Sequence, residues 1–124
     1  MSRGMHMRIV LIVSIALATL ATTDAFAIEK ELPRLLDLGA DKCIPCQMMA
    51  PILETMEKDF AEKMQVDFID VWKDGESSRR YGVKMIPTQI FFAPDGNELY
   101  RHTGFFSRED ILDKWRELGY DFGK

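Results

Sequence analysis

The stretch 40-ADKCIPCQMMAPILETM-56 holds both cysteines of the 124-residue chain and runs straight into a periodic apolar segment. Apolar Met49, Ile52, Leu53, Met56, Phe60 and Met64 recur at helical spacing, with Glu54, Glu57, Lys58 and Glu62 between them, so an amphipathic helix is expected from Cys46 to Met64. Pro51 lies inside that helix, where it removes a backbone donor and crowds the Gln47 carbonyl, which predicts a kink rather than a stop. Ahead of the cysteines, 32-LPRLLDLGA-40 is short, apolar and bounded by Pro33 and Gly39; it reads as a buried strand, although its leucines suit a helix equally well. Cys43 then falls at the mouth of a strand-to-helix turn and Cys46 in the first helical turn. A pair so placed has three readings: a structural staple, two metal ligands, or a reactive dithiol.

Working outward, 66-VDFIDV-71 alternates apolar and acidic residues as a strand does. The segment 74-DGESSRRYG-82 suits a short helix beginning near Ser77 or Ser78 and closing at Gly82. Next, 88-TQIFFA-93, the turn 94-PDGN-97 and 98-ELYRHT-103 read as a hairpin. Ser107 with Asp110 resembles a capping box for a helix through Ile111, Leu112, Trp115 and Leu118, ended by Gly119. The order is β, α, β, short α, β, β, α. A strand, a long crossover helix and a second strand imply a parallel pair, whereas the hairpin must be antiparallel, so the expected architecture is α/β with a mixed sheet.

The N-terminus reads differently. Arg3, His6 and Arg8 precede the apolar run from Ile9 to Ala21, and small residues follow at 25-AFA-27, the order of a secretory signal. The run is shorter than the roughly 20 residues a membrane-spanning helix needs. Residues 1–27 are therefore expected to be a signal peptide cleaved after Ala27, and residues 28–124 one compact domain, exported most naturally to a bacterial periplasm. No cysteine ends the signal to receive a lipid, so no stable membrane association is expected after cleavage. A formal net charge of −4 without a basic block argues against nucleic acid as a partner.

Export permits disulfides, yet the staple reading of Cys43 and Cys46 is weak. A crosslink constrains the unfolded chain more the longer the loop it closes, and this loop is minimal. With 47% hydrophobic residues a core is available without it. A closed zinc site needs four ligands, but past the signal the chain offers two cysteines and one histidine, His102, so carboxylates would have to be recruited. Haem attachment needs histidine after the second cysteine, where Gln47 stands. For copper(I), Met49, Met56 and Met64 lie on the apolar stripe and read as core, which leaves only Met48 and Met85 beside the thiols. No metal and no cofactor beyond the dithiol is expected. A helix N-terminus stabilises a thiolate, which makes Cys43 the nucleophile, and Cys46, deeper in the helix, the resolving thiol. Pro45 suits the first helical turn and stiffens the ring formed on oxidation.

Asp37, 43-CIPC-46, Ala50-Pro51, 81-YG-82, 86-IPT-88 and Gly104 occur in an order and spacing that resembles the thioredoxin family, over roughly Leu32 to Leu118. The resemblance implies a thioredoxin-like fold, a mixed sheet of about four strands flanked by helices. It implies that Pro87 is a cis-proline facing the dithiol and that the Ile86 backbone pairs with an extended substrate segment. Ile44, Pro45, Thr103, Gly104 and Phe105 would line the same groove, and Asp37 would lie buried behind Cys46 and move its proton. The stretch from Ile28 to Lys42 is too short for the first strand and helix of a full thioredoxin, so a trimmed version is expected.

Departures from the family pattern carry information too. Lys42 replaces the usual tryptophan before the first cysteine, and Leu38 and Gly39 replace upstream aromatics. The lysine that commonly accompanies the buried aspartate corresponds to Phe68, which leaves Asp37 more desolvated and raises its pKa. The resulting expectation is an exported, monomeric thiol–disulfide oxidoreductase acting on disulfide-containing proteins. Between Cys43 and Cys46 the Ile-Pro pair lacks the histidine of strongly oxidising relatives, which favours a reductant supplied by a membrane thiol electron donor. The alternatives are a disulfide-forming oxidant and a non-catalytic peptide-binding module.

Overall fold

A computed structural model of the chain describes residues 31–123. The strands are β1 (Arg34–Gly39), β2 (Gln65–Asp70), β3 (Thr88–Phe92) and β4 (Glu98–Thr103), and the helices are α1 (Ile44–Asp59), α2 (Gly75–Arg80) and α3 (Arg108–Glu117). The sheet order is β2-β1-β3-β4, with β1 parallel to β2 and the β1–β3 and β3–β4 pairs antiparallel. The mixed sheet expected from the crossover and the hairpin is the one observed. The segment 32–40 resolves as a strand, since its residues pair with neighbours on both sides and five of its six strand residues are buried. The expected signal peptide lies outside the described residues; of the stretch from Ile28 to Lys42, the described part, residues 31–42, holds β1 and the turn into α1 and no further strand or helix, as the trimmed fold requires.

Successive side chains of a strand point to opposite faces, and two apolar layers result. On one face Leu35 and Phe91 pack with Met49, Leu53 and Met56 of α1 and with Ile111 and Trp115 of α3; on the other, Leu36, Leu38 and Ile90 form a smaller cluster with Ile69, Tyr81 and Val83 around it. Trp115 is fully buried, its ring 4.8 Å from that of Phe91. Burying a side chain of this size contributes roughly 2–3 kcal/mol, so α3 is held mainly through this contact and Ile111.

The register sets the side chains of the α1 face in rows across the sheet. Val66, Leu35, Phe91 and Tyr100 make one row, and Phe68, Asp37, Gln89 and His102 make the next. The first is apolar and the second is mostly polar, although it lies in the same layer. The row after that begins with Asp70 and Gly39, at the mouth of the turn into α1.

Helix ends differ from expectation at two places. α1 stops at Asp59, with Phe60 as its C-cap residue, rather than continuing to Met64. Phe60 and Met64 are nevertheless both buried, because the tight turn that follows donates the Lys63 and Met64 N–H groups to the Phe60 carbonyl and keeps the two side chains on the stripe. α2 begins at Gly75, not at Ser77 or Ser78: the Asp74 carboxylate accepts the Ser77 N–H at 3.2 Å and also the Ser77 hydroxyl. An aspartate three residues earlier takes the capping role that either serine was expected to fill, and Ser77 becomes the residue capped. The other boundaries agree. α1 runs through Pro51 without stopping, Ser107 caps α3 by accepting the Asp110 N–H at 3.1 Å, and Gly82, Gly96 and Gly119 have the positive φ that their turns require.

Candidate active site

Cys43 is the N-cap residue of α1, in extended conformation (φ −86°, ψ 121°), and its carbonyl accepts the Gln47 N–H at 2.9 Å. No side chain caps this end and the first turn contains no acidic residue, so the open N–H groups and the positive end of the helix face the Cys43 sulfur. Pro45, in the first turn, has no N–H to leave unpaired. Cys43 and Cys46 are joined as a disulfide with Cα atoms 5.1 Å apart. Cys43 is half-buried, whereas Cys46 is only 4% exposed, so the two sulfurs are unequal in access.

The loop leading into the pair is tied down on one side. The Asp41 N–H donates to Asp70, its carbonyl accepts the Gln47 side-chain amide at 2.8 Å, and its carboxylate pairs with Lys73 at 2.5 Å. Lys42 projects exposed beside Cys43. On the other side lies the segment before β3. The Ile86–Pro87 peptide is cis, the Pro87 carbonyl accepts the Gly104 N–H at 2.7 Å, and the Thr88 hydroxyl donates to the Met85 carbonyl at 2.6 Å and meets the Thr103 hydroxyl at 3.4 Å. Ile86, Pro87, Thr103 and Gly104 are thereby brought together. The Phe106 N–H points at the Met49 sulfur, 3.4 Å away, which fastens the turn containing Phe105 to α1. Ile44 (74% exposed), Met48 and Met85 (69%) leave large apolar side chains in solvent on the segments that carry the disulfide and the cis peptide, and Phe105 does so on the turn after β4.

Beneath this surface Asp37 is fully buried. Its Oδ1 accepts the Gln89 Nε2–H at 2.8 Å, and its Oδ2 has no partner. Burial disfavours the carboxylate and lifts Asp37 from 3.8 to about 6, with the Gln89 hydrogen bond pulling the other way. Phe68 is its register neighbour on β2, so the place that would supply a cation holds an aromatic ring. Gly39 occupies the next inward position after Asp37. A Cβ there would lie 3.2 Å from the Cys46 sulfur and 3.1 Å from the Phe68 ring, so the missing side chain is the space in which those two groups meet over β1. A cavity of about 270 Å³ opens beside them between α1 and β2, lined by Cys46, Ala50, Leu53, Val66 and Phe68 among others.

Gln89 and Gly39 were not singled out as site residues in the sequence. Gly39 served only as a strand boundary, and Gln89 only as one residue of a hairpin strand. A signal for Gln89 was present: it is the one uncharged polar residue set among Ile90, Phe91 and Phe92, directly after Pro87-Thr88, at a position whose alternation with Phe91 points inward. Among the described residues no group of three or more His, Cys, Asp or Glu side chains is arranged to hold a metal ion.

Residues 17–117 match the family model for thioredoxin, a span that opens inside the apolar N-terminal run. The chain belongs to the thioredoxin family. It is 36% identical over 94 residues to a thioredoxin of Bacillus subtilis, covering 75% of this chain and 89% of that one. It is 35% identical over 97 residues to one of Alicyclobacillus acidocaldarius, covering 76% and 91%. Among solved structures, Fasciola hepatica thioredoxin superposes with a TM-score of 0.63 at 27% identity, covering 71% of this chain and 82% of that one. Chloroplastic thioredoxin z, at 23% identity, shares the fold with a TM-score of 0.65 and covers 73% and 80%. Family and disulfide together make the chain a thiol–disulfide oxidoreductase. Thioredoxins use the redox-active disulfide itself as the electron-carrying group and act on disulfides of proteins.

The buried aspartate has a cost in this thioredoxin-family protein that can be measured. Its folded pKa lies above its unfolded one, so its contribution to stability is present in full below pH 3.8 and is lost as the pH rises through about 6. Asp37→Asn is therefore expected to stabilise the protein at neutral pH by roughly 3 kcal/mol. Urea denaturation across pH should show the gain shrinking below about pH 6 and gone below 3.8. A gain independent of pH would mean that Asp37 does not titrate as a buried acid.

Proposed function

We propose that this thioredoxin-family protein is an exported, monomeric reductant of protein disulfides, in which Cys43 attacks and Cys46 resolves. The observation that carries this reading is the inequality of the two sulfurs: Cys43 sits half-exposed at the open end of α1, while Cys46 is buried against Gly39, two residues along β1 from Asp37. The Cys43 thiolate attacks one sulfur of a substrate disulfide, forming a mixed disulfide and releasing the first substrate thiolate. Cys46 then gives up its proton, and its sulfur attacks Cys43, which expels the second thiolate. The substrate gains two electrons and the protein is left as the Cys43–Cys46 disulfide.

Asp37 is the acceptor of the Cys46 proton. Asp37 and Gly39 are successive inward positions of β1, and the Cys46 sulfur lies over Gly39, so the proton passes between Cys46 and Asp37 through water, for which the cavity beside Cys46 and Phe68 leaves room. Ile44, Pro45, Ile86, Pro87, Thr103, Gly104 and Phe105 form the substrate surface. Its exposed aliphatic, thioether and aromatic side chains adapt to many unfolded or extended segments, which suits protein clients better than a small polar disulfide. One chain supplies the entire surface, so a monomer suffices.

The direction of electron flow rests on what the motif lacks. A strong oxidant owes its potential to an unusually stable thiolate, and neither Ile44 nor Pro45 adds a cation or a side-chain donor to what the helix end provides. A reductant outside the cytosol must be recharged across the membrane, and a membrane thiol carrier is the donor proposed. Export itself rests on the residue order from Arg3 to Ala27.

Three experiments test these statements. Cys46→Ser is expected to accumulate a mixed disulfide with a protein substrate through Cys43, whereas Cys43→Ser neither reduces nor traps; trapping by both variants equally would end the division of labour. Equilibration of the mature domain with glutathione should place the couple nearer roughly −270 mV than −120 mV, and a value above about −180 mV would promote the oxidant instead. Intact mass of the exported protein should begin at Ile28, while full-length chain in the membrane fraction would overturn cleavage.

A further inference from the structure

Resting on the reading of Asp37 as proton acceptor, we propose that Gln89 is its positioning residue: the amide N–H fixes Asp37 Oδ1, so that Oδ2 takes the Cys46 proton, and the Gln89 carbonyl then holds that proton in place. Two buried acceptors in this pair have no partner, Asp37 Oδ2 and Gln89 Oε1, while the N–H of the same amide is bonded to the other oxygen of the same carboxyl group at 2.8 Å. A buried acceptor without a donor is costly, and two acceptors cannot satisfy each other. One proton on Oδ2 satisfies both. A primary amide and a carboxylic acid joined by one N–H···O bond close a ring of two hydrogen bonds when the acid O–H donates back to the amide oxygen. The disulfide form is the state in which that proton has just been delivered.

The groups around Asp37 leave Gln89 as its only polar partner among the described residues. On β2, Phe68 is apolar and Asp70 spends its carboxylate on the backbone N–H groups of Asp41, Trp72 and Lys73. Lys73, the nearby cation, is exposed and paired with Asp41 and Asp70. Of the buried residues that α1 and α3 set on this face of the sheet, Met49, Ile111 and Trp115 carry no ionisable group, and Cys46 is the thiol whose proton is transferred. On β4, His102 lies across from Gln89 but is stacked on Phe106 with centroids 4.0 Å apart, its Nε2 3.2 Å from the Phe105 carbonyl oxygen.

In the resolving step the Cys46 S–H bond breaks, the proton passes to Asp37 Oδ2, and the sulfur lone pair forms the bond to Cys43 Sγ as the Cys43–substrate bond breaks. The electron pair leaves on the substrate thiolate. Reduction of the disulfide runs the same proton back to Cys46. Gln89 touches neither sulfur and acts only through Asp37.

Infrared difference spectra of the oxidised protein, taken on either side of pH 6, test this directly. The carbonyl band of protonated Asp37 is expected to vanish in Asp37→Asn and to move to higher frequency in Gln89→Met, where the acid loses its hydrogen-bonded ring. Gln89→Met should also slow resolution of a pre-formed Cys43 mixed disulfide about tenfold, the value of one hydrogen bond, with no further slowing in an Asp37→Asn background. Should the Gln89→Met variant fail to fold, Gln89→Asn withdraws the amide and carries the same expectation for the band. A band at one frequency in the wild type and in the Gln89 variant would overturn the role of Gln89. Unchanged resolution in Asp37→Asn is a different result, since it removes Asp37 from the reaction altogether.

Discussion

The constraint on which this structure depends is the seating of α1 on β1 with nothing between them at Gly39. Met49, Leu53 and Met56 bury one side of the helix against Leu35 and Phe91, which sets its height and its rotation. With those fixed, the first turn falls where Gly39 leaves room, and the Cys46 sulfur comes within 3.2 Å of the absent Cβ. The same seating leaves Cys43 at the rim, because the N-cap residue lies one turn further out. The inequality of the two thiols is thus a packing result, and the chemistry inherits it.

Burying an acid next to Gly39 on β1 opposes stability, and in the proposed mechanism it serves the proton transfer from Cys46. An aspartate in water is ionised at neutral pH and too weak a base to take a thiol proton readily; lifted to about 6 it comes closer to working pH and becomes a better acceptor while remaining mostly ionised. A neighbouring ammonium would lower it again. Phe68 in that place keeps the pair uncharged apart from Asp37 itself, and hands the task of orienting the carboxyl group to a neutral amide. Phe68, half-exposed, also borders the cavity that reaches Cys46, so the residue that stands where a cation would lower the acid lines the space beside the buried sulfur.

Much of this was legible in the chain, and the exceptions share a cause. The hairpin, the mixed sheet, the amphipathic helix and the Ser107 cap all follow from residues close together in sequence, and all appear as expected. The end of α1 and the start of α2 were misplaced by a few residues. Phe60 and Met64 keep helical period through a turn that is no longer helix, and Asp74 caps α2 by accepting the Ser77 N–H, which starts the helix ahead of both serines. Gln89 was invisible as a partner because its meaning depends on register: it meets Asp37 only when β1 and β3 pair antiparallel with those two residues opposite. The lysine-to-phenylalanine departure at Phe68 was visible, and the upward shift of Asp37 follows the direction it implied.

The site surface adds a final step to the same logic. Large apolar side chains are left in solvent at Ile44, Met48, Met85 and Phe105, although the domain has two apolar layers in which to bury such groups. Ile44 and Met48 cannot turn inward without rotating α1, which Met49 and Leu53 forbid, because positions on opposite faces of one helix cannot be buried against one sheet. Met85 is held at the carbonyl by Thr88, and Phe105 follows a Gly104 whose N–H is fixed to Pro87. Each of these four exposed apolar groups is therefore pinned by a contact that builds the dithiol site, and none of them is covered among the described residues. An extended apolar segment of the protein disulfide proposed as substrate would cover them while bringing its own sulfur to Cys43.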